Sequence, residues 1–220
     1  MEDGINVSAL ETVLELIDEY KKVLHSIKPC FKDCKYLESV WDRAISNSLI
    51  MLSENISSGH IVDAMRTLKF ILEAAAQSLY LFVKNKGDDE EIWRELRIRS
   101  KHATSFNVRM LANLPDTPRQ IGRGILRTYL MVAKYSHPAY EVLTNPDVLI
   151  VRSAISKDVL ELMRQTLDYV AYLALRLCKL KNCLTCGELN LHLIQSNVCS
   201  IRLERACKYI SKITKSKEGS

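Results

Sequence analysis

The chain has 220 residues, 47% of them apolar and 26% charged, with a formal net charge of +5. That length fits one globular domain, or one domain with an appended module, and the apolar share supports a real core and excludes a disordered chain. Seven glycines and five prolines are about half the usual share, which disfavours a turn-rich β-sandwich or barrel and points to an all-α chain, a single bundle of about seven helices.

The first residues, Met1-Glu2-Asp3-Gly4, are acidic and lack the basic segment and apolar run of a secretory signal. The most apolar stretch, residues 169–178, contains Arg176 and is too short to span a bilayer. A cytoplasmic address is the expectation, and there the seven cysteines would stand mostly as thiols or metal ligands.

In chain order, Val7, Leu10, Val13, Leu14, Ile17, Tyr20, Val23, Leu24 and Ile27 recur at three- and four-residue steps, a helix stripe that Pro29 ends. A second helix is expected from Tyr36 to Ser57 with Gly59 as its stop, and a third from Ile61 to Lys86 with Gly87 as its stop. Asp88 or Asp89 suits the cap of a fourth, running to about Asn113 before Pro115. Thr117-Pro118 opens a fifth that reaches Ser136, and Pro138 and Asn145-Pro146 bracket a connector. Ser156 caps a sixth to about Lys181, whose second half is apolar on every side and reads as the central buried element. After a break at Gly187, a last helix is expected from Leu189 to Ile213. The domain reading is a helical bundle over 1–181, with a cysteine-bearing turn and C-terminal basic helix over 182–220 packed on it.

The charge is unevenly spread. Residues 176–220 hold nine basic and three acidic side chains, so the remainder of the chain is close to neutral. Such asymmetry points to an acidic partner, RNA or DNA. Within the last helix Arg202, Arg205, Lys208, Lys212 and Lys215 fall at steps of three, three, four and three, one broad side of a helix whose other side carries Leu203, Ala206, Cys207, Ile210 and Ile213. A basic amphipathic helix can follow a phosphate backbone and release its counterions. It can equally lie on an acidic protein or anionic lipid, or be an ordinary solvated helix side.

Cys183-Leu184-Thr185-Cys186-Gly187 places two thiols in a tight turn, a spacing that suits one structural zinc ion. Cys30 and Cys34, in the first interhelical link, would complete a four-thiolate set, with Cys178, His192 and Cys199 as alternative ligands; the bland alternative is a set of packed free thiols. Arg97 and His102, five residues apart, form a candidate catalytic pair for metal-independent RNA cleavage, the arginine stabilising a phosphorane and the histidine moving a proton. Chance spacing explains that pair too. His137 in Tyr135-Ser136-His137-Pro138 suits a helix C-cap.

Arg66-Thr67-Leu68-Lys69-Phe70-Ile71-Leu72-Glu73, followed by Tyr80 and later by Tyr135-Ser136-His137-Pro138, resembles the paired motifs of a broad group of all-helical prokaryotic domains similar to the HEPN superfamily. The resemblance covers about residues 36–180. It implies a helical domain of a class that includes RNA-cleaving toxins and nucleic-acid-associated partners, with a catalytic arginine and histidine four to six residues apart. Arg97 and His102 fit that spacing, with Ile98 where a polar residue usually follows the arginine. The readings that follow are a nucleic-acid-binding helical protein, a HEPN-type RNase, or an interaction module stabilised by cysteines or zinc, any of them possible as a homodimer.

Overall fold

The computed structural model describes residues 7–101, 109–136, 157–184 and 189–218. Eight helices and no strand are found among them. Helix α1 is Val7–Ile27, followed by a 3-10 turn, Lys28–Phe31, that carries Pro29 at its start. Helix α2 spans residues 35–57, with α-helical Lys35–Glu38 and Ser46–Ser57 on either side of a π-helical stretch, Ser39–Ile45. Then come α3 (Ile61–Lys84), α4 (Asp89–Lys101), a single helical turn (Arg109–Ala112), α5 (Arg119–Ser136), α6 (Lys157–Leu180), α7 (Leu191–Ser200) and α8 (Glu204–Glu218).

The helix ends follow local chemistry. Gly59 (φ +74°) takes the left-handed conformation that closes α2, and in α3 Lys86 (φ +51°) takes it, followed by Gly87 (φ +77°). The five-residue closing bonds are present: His60 N–H reaches Asn55 O at 2.7 Å and Gly87 N–H reaches Phe82 O at 2.8 Å. Asn182 (φ +60°) does the same after α6, where Cys183 N–H bonds Cys178 O at 3.0 Å. The two aspartates expected near the start of α4 divide their work. Asp88 Oδ1 accepts from the amides of Glu90 and Glu91 at 2.9 and 3.1 Å and caps α4. Asp89 turns away and accepts from the amides of Lys35 and Tyr36 at 2.7 and 3.1 Å, capping α2 instead.

Helix α3 packs on α2, α5 and α6, while α6 packs on α1, α3, α5 and α8. Residues 166–175 of α6 are buried without interruption, the apolar run 169–175 as its pattern requires and Thr166 and Asp168 along with it. Two glycines let α5 approach its neighbours. A Cβ at Gly122 would lie 2.5 Å from the Ala112 carbonyl oxygen, and one at Gly124 would lie 2.0 Å from the Tyr169 hydroxyl.

Two expectations are corrected. The last helix is broken: α7 and α8 form a hairpin whose turn, at Ile201 and Arg202, has Arg202 at φ +57°. A Cys199–Cys207 disulfide spans that turn, so these two cysteines are neither thiols nor ligands. The fourth helix ends as described at Lys101, and its expected continuation falls partly outside the described residues. Among the described residues no helix is long and apolar enough to cross a membrane.

Candidate nucleic-acid interface

The hairpin of α7 and α8 is held by a cap from another helix. Asp168 of α6 is buried (2% exposed), and its carboxylate accepts from the amides of Arg205 at 3.0 and 3.1 Å and of Ala206 at 3.0 Å. These are the orphan donors of the first turn of α8, and a carboxylate there also complements the helix dipole. The same carboxylate takes Arg205 Nη1 at 2.9 Å, while the guanidinium carbon stands 4.4 Å from the Tyr169 ring centroid. Burial pushes the Tyr169 phenol up from its ordinary value, an effect partly offset by the positive charges of Arg205 and Arg127. Arg205 is therefore already paired with Asp168, although its side chain stays partly exposed.

Of the other expected nucleic-acid contacts, Arg202 is exposed but sits in the turn before α8, outside its helical repeat. Lys208, Lys212 and Lys215 are exposed on α8 at i, i+4 and i+7, a single side of the helix. None of the three enters an ion pair among the described residues. Ala206, Ile210 and Ile213 on the opposite side are buried.

Helix α5 adds a second basic stripe outside the tail. Its four charged residues, Arg119, Arg123, Arg127 and Lys134, are all basic and all exposed. Helices α5 and α8 flank α6, with Arg127 and Arg205 both acting on Tyr169. A second link joins them: Arg176 of α6 bonds the Tyr209 hydroxyl of α8 at 3.1 Å and pairs with Asp116, just before α5. Tyr169 and Tyr172 are only 4% and 5% exposed, so they brace the helices and offer no open ring for base stacking.

The proposed catalytic pair is not assembled by anything described. Arg97 is exposed on α4, and His102 lies outside the described residues, as does His137. The two motifs of the resemblance do meet: Arg66 Nε donates to Ser136 O at 3.1 Å, and its Nη1 pairs with Asp63 at 2.8 Å. One and two turns further along α3, Lys69 lies over the Tyr129 ring at 5.4 Å and Glu73 accepts from the Tyr129 hydroxyl at 2.6 Å.

Among the described residues, which do not include Cys186 of the expected four-thiol set, no group of three or more histidine, cysteine or acidic side chains is placed to hold a metal. Cys30 and Cys183 do come together, with Cys183 Sγ 3.9 Å from Cys30 O. The Cys30 thiol, however, is pushed far up by its hydrogen bond with Cys178 and by burial, which favours the neutral form. Cys34 donates to Asp89 Oδ1 at 3.0 Å, and burial together with that carboxylate pushes its thiol up to about 11. Protonated, buried thiols pack as small apolar groups. Cys186 lies outside the described residues. No family model matches the chain, and neither characterised proteins nor solved structures offer a match.

Proposed function

We propose that the protein binds RNA or DNA through the phosphate backbone, using Lys208, Lys212 and Lys215 of α8 with the α5 arginines as a second contact. The observation that carries this reading is the lysine stripe itself: three exposed cations on one side of a helix, none of them in an ion pair among the described residues. Lipid is disfavoured because a helix lying in a membrane needs its apolar side free, and that of α8 is spent on the protein core. The HEPN-like resemblance, whose relatives include nucleic-acid-associated partners, agrees with this class. Arg205 supports the surface from within and is not counted as a contact.

The test is an anisotropy titration of labelled single-stranded RNA and duplex DNA against the intact protein and the Lys208→Glu/Lys212→Glu/Lys215→Glu variant. Removing α8 altogether would uncover the core of α6, so charge reversal is the cleaner perturbation. Binding that the triple variant loses, with unchanged helicity by circular dichroism, supports the reading. Equal binding by both proteins, or none by the intact one at low salt, sinks it.

A further inference from the structure

Helix α5 turns outward an apolar strip as well as its cations. Arg123, Arg127, Leu130 with Met131, and Lys134 succeed one another at three- and four-residue steps and share the outer side of the helix. Leu126 and Ala133, on the flanks of that side, pack against the core, whereas Leu130 and Met131 are 54% and 45% exposed. A second wall comes from α3. Lys69 over the Tyr129 ring and Glu73 bonded to the Tyr129 hydroxyl set the register of α3 against α5. At that level Phe70 of α3 is 47% exposed. Isolated exposed apolar residues are ordinary on a protein surface, but three large ones at one level of two packed helices make a patch.

The charge beside this patch is of one sign. Helix α5 contains no acid, and none of Arg119, Arg123, Arg127 and Lys134 enters an ion pair among the described residues. Arg123 and Arg127 border the same surface hollow as Leu126, Leu130 and Met131. Open apolar side chains and unpaired cations are therefore side by side.

We infer that this surface docks an acidic amphipathic helix of a partner protein, with its apolar side on Phe70, Leu130 and Met131 and its carboxylates at Arg123 and Arg127. Helix-in-groove recognition uses that combination, apolar anchors one and two turns apart with complementary charge at the rim. The charge selects the occupant. A second copy of the chain docking through its own α5 would set cations against cations. A phosphate backbone would satisfy the arginines and leave the apolar side chains uncovered. The inference does not rest on nucleic-acid binding. Where a strand is bound, strand and acidic helix compete for Arg123 and Arg127, and the α8 lysines stay with the strand.

The probe is a fluorescein-labelled peptide of about 18 residues, long enough to form a helix, with leucines along one side and glutamates flanking them. One control peptide carries lysine in place of every glutamate, and another has the same residues in scrambled order. Anisotropy is read with the intact protein, with Leu130→Ala/Met131→Ala and with Arg123→Ala/Arg127→Ala; these side chains are exposed, and unchanged helicity is checked by circular dichroism. The expected result is saturable binding of the acidic striped peptide alone, weakened about tenfold by either double substitution. RNA affinity is unchanged in Leu130→Ala/Met131→Ala. No saturable binding of the acidic peptide, or binding that Leu130→Ala/Met131→Ala leaves intact, overturns the inference. Equal binding of the scrambled peptide overturns the helical ligand. RNA affinity lost in Leu130→Ala/Met131→Ala gives the surface to nucleic acid instead, and a sedimenting dimer that this variant dissociates gives it to a second copy; either result overturns the assignment to a partner helix.

Discussion

Replacing Asp168 with alanine tests whether α8 is held by a cap supplied in trans. The carboxylate receives the amides of Arg205 and Ala206 and the Arg205 guanidinium, and it is buried. An unsatisfied buried donor costs about 1–3 kcal/mol, so two stranded amides cost about 2–6 kcal/mol. The guanidinium adds little, because the Arg205 side chain is 36% exposed and can turn to water. Against a total stability of about 5–15 kcal/mol, Asp168→Ala therefore lowers the urea midpoint severely, measured by circular dichroism with the slope held constant. Asp168→Asn keeps an acceptor for the amides and costs about 1 kcal/mol, in the range of a single hydrogen bond. Arg205→Ala costs at most about 1 kcal/mol. An Arg205→Ala protein as unstable as Asp168→Ala would refute the cap and make the ion pair the important contact.

Four further outcomes follow from the packing and the titrating groups. Gly122→Ala forces a Cβ onto the Ala112 carbonyl and destabilises by about 1–3 kcal/mol, whereas Gly124→Ala meets the Tyr169 side chain, its hydroxyl at 2.0 Å and ring carbon Cζ at 2.9 Å, so adding Tyr169→Phe removes the nearer clash and restores part of the lost melting temperature. Tyr20 is fully buried and its hydroxyl has no hydrogen-bond partner among the described residues, so Tyr20→Phe leaves stability unchanged or raises it by up to about 1 kcal/mol in a chemical denaturation curve. Asp89 and Glu95 are each pushed up by burial, but hydrogen bonds outweigh this (to Asp89 from Cys34, Tyr36 and Lys35, to Glu95 from Lys84, Asn85 and Arg99), and the net shift is downward. A depressed carboxylate gives stability that is present above its unfolded value, near pH 4, and lost as pH falls through the folded value; melting temperatures should therefore drop below about pH 4, and less steeply in Asp89→Asn. Reducing Cys199–Cys207, which are eight residues apart, releases a short loop and lowers stability by about 2–3 kcal/mol, read as a melting shift with and without reductant.

Much of the fold was legible because its signals are local. The stripe from Val7 to Ile27, the stops at Pro29, Gly59 and Gly87, and the apolar run of α6 fix their helices through periodicity and backbone preference alone. The break between α7 and α8 was not legible, because Cys199-Ser200-Ile201-Arg202 contains neither glycine nor proline and the turn places an arginine at positive φ. The π-helical stretch likewise has no sequence signature; the long-range bond it carries, from Trp41 to Ser78, joins residues 37 apart in sequence. Of the candidate interface, the lysines were readable from spacing, but the internal role of Arg205 depends on Asp168, which spacing along one helix cannot reveal. The α5 stripe was readable and missed. Residues 94–136 hold nine basic and two acidic side chains, yet the acids before residue 94 cancel that surplus when everything outside the tail is counted together.

The central claim is that Lys208, Lys212 and Lys215 contact phosphates, and the most direct measurement is the salt dependence of RNA affinity. The slope of log K against log salt is about −0.7 for each phosphate neutralised on a single strand. The account predicts that Lys208→Ala/Lys212→Ala/Lys215→Ala flattens the slope by about 2 while the protein stays folded. A slope identical to that of the unmodified protein would contradict it.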